Sequence, residues 1–253
     1  MNGEEGFYLY GIIATNNKQD FGPIGIGGRG DKVYALAYQD IAAVISKSPI
    51  QKYDVTRDNV SGHAQVLETV AKDYTVLPVR YCTIATDEEM IISKLLKERH
   101  QELVQLLQEM QGKIELGLRA RWQDMDAIFA EVVEENQTIK TMKEAALREK
   151  DKQKKYADSV KIGEMVQKAL EQKRTRETQA LLDAIKPLSL DYKENQLYGD
   201  MNLLNAAFLV DKAKEGDFDQ KVNDLQKEHE NRTLLIYNSS AVPYNFVELV
   251  VKW

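Results

Sequence analysis

Asp124 to Ile185 contains no proline and a single glycine, Gly163. Proline removes a helical hydrogen bond and glycine adds backbone freedom, so a run without them has little to end a helix. The stretch is too long for a loop and too charged for a buried strand. It predicts a helical arm that the rest of the fold must accommodate. The arm is apolar at its start, through Ile128, Phe129, Val132 and Val133, and at its end, through Ala180, Leu181, Ala184 and Ile185. Between them, Lys140 to Gln179 holds 12 Lys/Arg against 7 Asp/Glu, a local charge of +5. The whole chain carries −6, which leaves −11 on the remainder. The middle reads as a solvated projecting helix or helical hairpin, held by side-chain pairs one turn apart. A sharper reading makes it an arm for an acidic surface. A third makes it a nucleic-acid contact, against which the overall negative charge argues.

The arm is flanked by strands. Lys113 to Trp122 (KIELGLRARW) alternates strictly, with Ile114, Leu116, Leu118, Ala120 and Trp122 on one side. Lys113, Glu115, Arg119 and Arg121 lie on the other, a side that is wet or meets a partner. After Pro187 come an alternating strand (Leu188, Leu190, Tyr192), an apolar strand Met201 to Val210, a short helix Asp217 to His229, and a strand Arg232 to Asn238. From Ile114 onward the order is βαββαβ, the pattern of a ferredoxin-like fold. The expected architecture is α+β in two domains, residues 1–112 and 113–253. The second is ferredoxin-like, with a long charged insertion at about 124–186 and a tail at 239–253.

The N-terminal half reads as a second α+β unit. Phe7 to Ala14 is a strand, with Gly11 where another backbone passes close. Val33 to Tyr38 and Ile41 to Ser46 are two strands, or one bent at Gln39-Asp40. Ser61 to Asp73 is a helix. Val76 to Ile84 (VLPVRYCTI) is apolar and β-branched, which predicts a buried strand at the centre of this half, paired from Val79 because Pro78 lacks an N–H. Thr86 to Glu89 has the form of a capping box before a helix that ends at Gly112.

Motifs of reaction chemistry are missing. Gly25, Gly27 and Gly30 spell GxGxxG, but a strand-like segment follows instead of the helix a phosphate site needs, so a hairpin loop is expected. His63, His100 and His229 lie far apart, and no HExxH, CxxC, GxSxG or GxxxxGK[ST] pattern occurs. No cofactor is implied. Cys82, the one cysteine, reads as a small buried hydrophobe, and its solitude fits a reducing compartment. His63, Glu68 and Arg80 are the one polar set that the fold would have to assemble. No signal peptide and no apolar run near the roughly 20 residues of a membrane span is evident, which predicts a cytoplasmic protein.

Five stretches carry a family resemblance: FYLYGIIA (Phe7 to Ala14), DIAAVIS (Asp40 to Ser46), the helix start His63 to Leu67, LPVRYCTI (Leu77 to Ile84) and VPYNFVEL (Val242 to Leu249). In this order and spacing, with KIELGLRARW in place, the chain resembles the gas vesicle protein family GvpL/GvpF over Phe7 to about Leu249. Two positions depart from that family's pattern. Cys82 stands where the family usually has glycine, and Ser239 to Val242 replaces a glycine–proline and a tryptophan before the PY pair. The resemblance implies no enzyme. It implies an accessory or minor structural protein needed to form gas vesicles, placed at the vesicle in the cytoplasm. Its partners would be the small hydrophobic shell subunit and other accessory proteins, with no nucleic acid and no lipid membrane. The tail is the expected contact, because Tyr244, Phe246, Leu249, Val251 and Trp253 are many apolar groups for a chain end; alternatively, they pack on the protein's own sheet. The competing reading is a ligand-sensing or enzymatic ferredoxin-like protein with a closed pocket near Arg80 or His63.

Overall fold

The structure is a computed structural model that describes residues 4–253. It is a mixed α+β chain with two sheets. Two compact units divide it: residues up to Leu116 with Leu209–Ala213 and Ser239–Trp253, and Gly117–Phe208 with Lys214–Asn238. The boundary expected near Gly112 falls instead between Leu116 and Gly117, inside the strand Lys113–Trp122. The closing segment, expected with the C-terminal half, groups with the first unit because Val242, Val247 and Leu249 are buried there.

In the first unit five antiparallel strands form one sheet: β1 (Glu5–Ile13), β2 (Asp20–Gly22), β3 (Val33–Tyr38), β4 (Ile41–Pro49) and β5 (Val76–Ala85), in the order β2-β3-β4-β1-β5. β3 and β4 are two strands, turned at Gln39, whose φ is 53°. Strand β5 is therefore at the sheet margin and not at its centre. Its apolar run reflects cover on both faces, which position in the sheet does not reveal. On one face α1 (Arg57–Val70) packs Val66, Leu67 and Val70 among Tyr8, Tyr10, Val44 and Val76. On the other, Ile91, Leu95, Leu103 and Leu107 pack against Leu9, Ile45 and Leu77.

A bulge in β1 switches its alternation: Tyr8 and Tyr10 face α1, while Leu9 and Ile12 face the opposite layer. Gly11 follows the bulge, and a Cβ there would lie 2.8 Å from the Leu77 carbonyl oxygen, the close backbone approach expected of it. Pro78 does not delay pairing. Val76, Leu77 and Pro78 face Ile13, Ile12 and Gly11, whereas Val79 leaves β1 and bridges Leu249.

The layer beyond β5 starts with α2 (Glu88–Met90), widens into a π-helical turn over Ile91–Lys97, and continues as α3 (His100–Met110). The capping box expected at Thr86 does not form. Asp87 Oδ1 accepts the Met90 N–H at 2.8 Å, and Thr86 Oγ1 donates to Asp87 instead. An ionised carboxylate is the stronger acceptor for an N-terminal N–H. Gly112, at φ 72°, ends the segment as expected.

β6 (Lys113–Trp122) has the bounds and the buried alternation that its sequence predicts. The arm that follows is three helices: α4 (Met125–Glu135), α5 (Gln137–Arg148) and α6 (Lys152–Ile185). Its middle is a hairpin, with α5 packed along α6 and Ile139, Ala146, Ala169 and Leu170 buried. The hairpin turns without proline or glycine. Glu149 Oε1 accepts the N–H groups of Lys150 and Asp151, and Asp151 Oδ1 accepts those of Gln153 and Lys154, so side chains take over donors that helix would otherwise satisfy. Then come β7 (Asp191–Glu194), β8 (Asn202–Asp211), α7 (Glu215–Glu228) and β9 (Thr233–Ser240), in a second sheet of order β7-β8-β6-β9. In the second unit Arg232 clamps α4 to α6: its guanidinium reaches Glu131 at 2.7 and 2.8 Å and Glu177 at 2.7 Å.

Candidate interaction site

Between Leu9↔Thr83 and Gly11↔Pro78 the ladder of β1 and β5 opens, so Val79 to Cys82 of β5 lie opposite Tyr10 alone. The backbone closes this bulge with Cys82 at φ 63°, in the left-handed region that favours glycine. Tyr8 fills the opening. Its Oη accepts the Cys82 N–H at 2.8 Å and lies 3.1 Å from His63 Nδ1. Bulges bend a strand and re-aim side chains; here Arg80 is exposed, and the Tyr81 hydroxyl donates to the Asp54 carbonyl.

The tail seats itself against this bulge. After a turn in which Phe246 and Val247 N–H groups bond the Pro243 carbonyl, Asn245 is held by Glu115 of β6. The Glu115 carboxylate accepts the Asn245 backbone N–H at 2.7 Å and its side-chain amide at 2.6 Å. Leu249 then bridges Val79, its carbonyl takes the Arg80 N–H, and Arg99 donates to the Val250 carbonyl. What remains is an open groove of about 530 Å³ between tail and bulge, lined by Ile50, Lys52, Arg80, Ile84, Val251 and Trp253 among others. Its cationic side chains are Lys52 and Arg80, and among the described residues no Asp or Glu side chain lines it.

The five expected tail residues divide. Leu249 is 2% exposed and belongs to the protein's own core. Val251 packs at the edge of that core, and Phe246 is half-buried. Tyr244 is part-exposed, and burial pushes its phenol well above the usual range. Trp253 is 42% exposed on the groove rim. Glu115 was missed in the sequence. It sits at an outward position of the alternating strand, yet is buried, and its partner lies 130 residues downstream.

The polar set of His63, Glu68 and Arg80 is not an assembled site. His63 is buried among Tyr8, Tyr10 and Tyr81, and burial lowers its pKa to about 4, so the ring is neutral. Glu68 and Arg80 are exposed side chains. Gly25 to Gly30 form a loop that holds a single 3-10 turn, Ile26–Gly28, and leads into β3, not into the α-helix a phosphate site needs. His100 pairs with Asp40 at 2.7 Å. His229 closes α7 and borders a cavity of about 410 Å³ that the Arg232 clamp fills with charge. Among the described residues no group of three or more His, Cys, Asp or Glu is placed to hold a metal ion, and no helix is long and apolar enough to cross a membrane.

Comparison with known proteins gives one consistent result. Residues 6–248 match the profile of the family described as gas vesicle synthesis protein GvpL/GvpF. Gas vesicle protein F of Nostoc sp. (strain PCC 7120 / SAG 25.82 / UTEX 2576) is 25% identical over 246 residues, covering 96% of this chain and 98% of that one. Gas vesicle protein F of Streptomyces sp. (strain CB03234) is 26% identical over 244 residues, covering 95% and 99%. The crystal structure of gas vesicle protein GvpF from Anabaena sp. PCC7120 superposes with a TM-score of 0.83 at 23% identity, over 97% of this chain and 99% of that one. That of GvpF from Microcystis aeruginosa gives 0.79 at 23%, over 96% and 99%. At such identity the structural likeness speaks for the fold.

Proposed function

The chain belongs to the GvpL/GvpF family of gas vesicle synthesis proteins, and from that premise we propose that it is a non-catalytic accessory or minor structural protein of the vesicle. It binds the small hydrophobic shell subunit and other accessory proteins during assembly, in the cytoplasm and at the vesicle. A growing protein shell exposes apolar surface and unpaired strand edges, both prone to aggregation until covered. The β5 groove supplies matching chemistry, and it is the observation that carries this reading. It joins a strand at the sheet margin to an apolar rim of Ile50, Ile84, Val251 and Trp253. An extended apolar segment laid there meets side-chain pockets and backbone groups together, the usual terms of strand addition. Lys52 and Arg80 favour a segment that carries a carboxylate. For the second unit we adopt the ferredoxin-like reading, supported by the order β6, helices, β7, β8, α7, β9 and by the sheet order β7-β8-β6-β9.

The test is co-expression with the shell subunit and co-purification, beside a charge-matched unrelated protein. Specific retention that falls with Trp253→Ala and with Arg80→Glu is expected. No retention of the subunit by the folded, monodisperse protein would overturn direct shell contact.

A further inference from the structure

We propose that a second copy of this chain docks head to tail along the arm. The basic tip of the α5–α6 hairpin of one copy seats on the acidic segment Leu190–Asp200 of the next. This goes beyond the groove and does not rest on it.

The tip is an exposed apolar patch in a basic surround. Leu147 is 71% exposed and Tyr156 is 73% exposed. Tyr156 and Val160 stand one turn apart on one face of α6. Residues 147–161 hold six Lys/Arg against three Asp/Glu. Two of those carboxylates are occupied in building the turn: Glu149 pairs with Lys154, and Asp151 caps α6. Lys150, Lys152, Lys155 and Lys161 are exposed and, among the described residues, take part in no ion pair.

Residues 190–200 present the complement. Leu190, Leu197 and Tyr198 are exposed there, and Asp191, Glu194 and Asp200 outnumber the single Lys193. The segment is fixed to the other end of α6. Lys186 lies over the Tyr192 ring at 4.2 Å, and Thr178 Oγ1 donates to the Leu203 carbonyl. Helix α6 has 34 residues, so its ends are roughly 50 Å apart at 1.5 Å per residue. One chain cannot bring its two patches together, whereas a second copy offers each its counterpart. Contact between different patches is heterologous and leaves both outer ends free, so copies add in a row.

The chemistry disfavours other occupants. Glu149, Asp151 and Asp158 interrupt the lysines, which suits a patterned protein face better than a uniform phosphate chain. Three apolar groups are too few for the continuous face of a membrane-surface helix.

Sedimentation of the full chain tests this. Self-association is expected at about 50 mM salt, with a dissociation constant that rises about tenfold or more near about 500 mM. The triple variant Lys150→Glu, Lys152→Glu, Lys155→Glu is expected to be monomeric, and so is Asp191→Lys, Glu194→Lys, Asp200→Lys. Each keeps one intact patch and the two reversed patches are complementary to each other, so an equimolar mixture should re-associate although neither variant does so alone. A wild-type chain that is monomeric at low salt up to about 100 µM overturns the proposal. So does self-association that either triple variant leaves intact, or a mixture that does not pair.

Discussion

Cys82 holds a left-handed backbone, φ 63°, in the region that favours glycine. A side chain there costs roughly 1–2 kcal/mol over glycine. The thiol returns little: Sγ accepts the Tyr53 N–H at 3.3 Å. Cys82→Gly is therefore expected to hold or raise stability by up to about 1 kcal/mol, whereas Cys82→Ala keeps the strain and loses the sulfur contact. Urea titration should rank glycine above alanine; the reverse order would sink the account of the bulge. His63 next to it makes a pH prediction. Burial holds its pKa at about 4, below the usual value of 6.5. Above the usual value neither state binds the proton, and the native state is at full stability. As pH falls between the two values the unfolded chain takes the proton first, so stability drops, by up to about 3 kcal/mol, and then levels off. His63→Phe should flatten that part of the stability–pH curve; an unchanged slope would place the linkage elsewhere.

Single helix ends and clamps were only partly legible. Asp87 caps the helix after β5 although Thr86 fits the familiar pattern, because both residues are polar and only geometry chooses between them. Asp87→Ala should cost about 1 kcal/mol and Thr86→Ala clearly less, read by thermal unfolding; equal losses would restore the threonine cap. The Arg232 clamp tests packing between elements. Its guanidinium holds the Glu131 carboxylate down to about 2, with Lys173 helping. Arg232→Met leaves Glu131 and Glu177 without their main partner and should cost about 2 kcal/mol, discounted for partial exposure. Lys140→Met, at the solvent-exposed pair with Glu134, is the control and should leave the melting temperature in place. Strand β6 and the helicity of the arm were readable because alternation and the lack of breakers are local signals. The turn at Glu149–Asp151 was not, because carboxylates make it without proline or glycine. Nor was the marginal place of β5, since cover on both faces gives an edge strand the composition of a central one.

On the scale of the whole molecule, the tail was readable as apolar but not as two parts with different duties. Val247 and Leu249 are core, whereas Val250–Trp253 continue past the Leu249 bridge to the groove. The division follows from chain order, because anchoring ends where the Arg80 N–H and the Arg99 guanidinium take the carbonyls of Leu249 and Val250. Nothing local marks that point; Glu115, which holds Asn245, is distant in sequence. Two truncations separate the duties. A chain ending at Leu249 keeps the buried residues and should melt within about 3 °C of the full chain. A chain ending at Val242 loses Val247, Leu249 and the Asn245 bonds to Glu115, and should lose on the order of 5 kcal/mol or fail to fold. The shorter deletion therefore removes the rim at the cost of Val251 at the core edge and the Arg99 bond to the Val250 carbonyl, while Val247 and Leu249 stay in place. If the groove receives the shell subunit, the chain ending at Leu249 should retain markedly less of it than the full chain at equal folded concentration. Equal retention would show that Trp253 and its neighbours take no part, and would shift the contact to the other lining of the groove, where Arg80→Glu is the decisive variant.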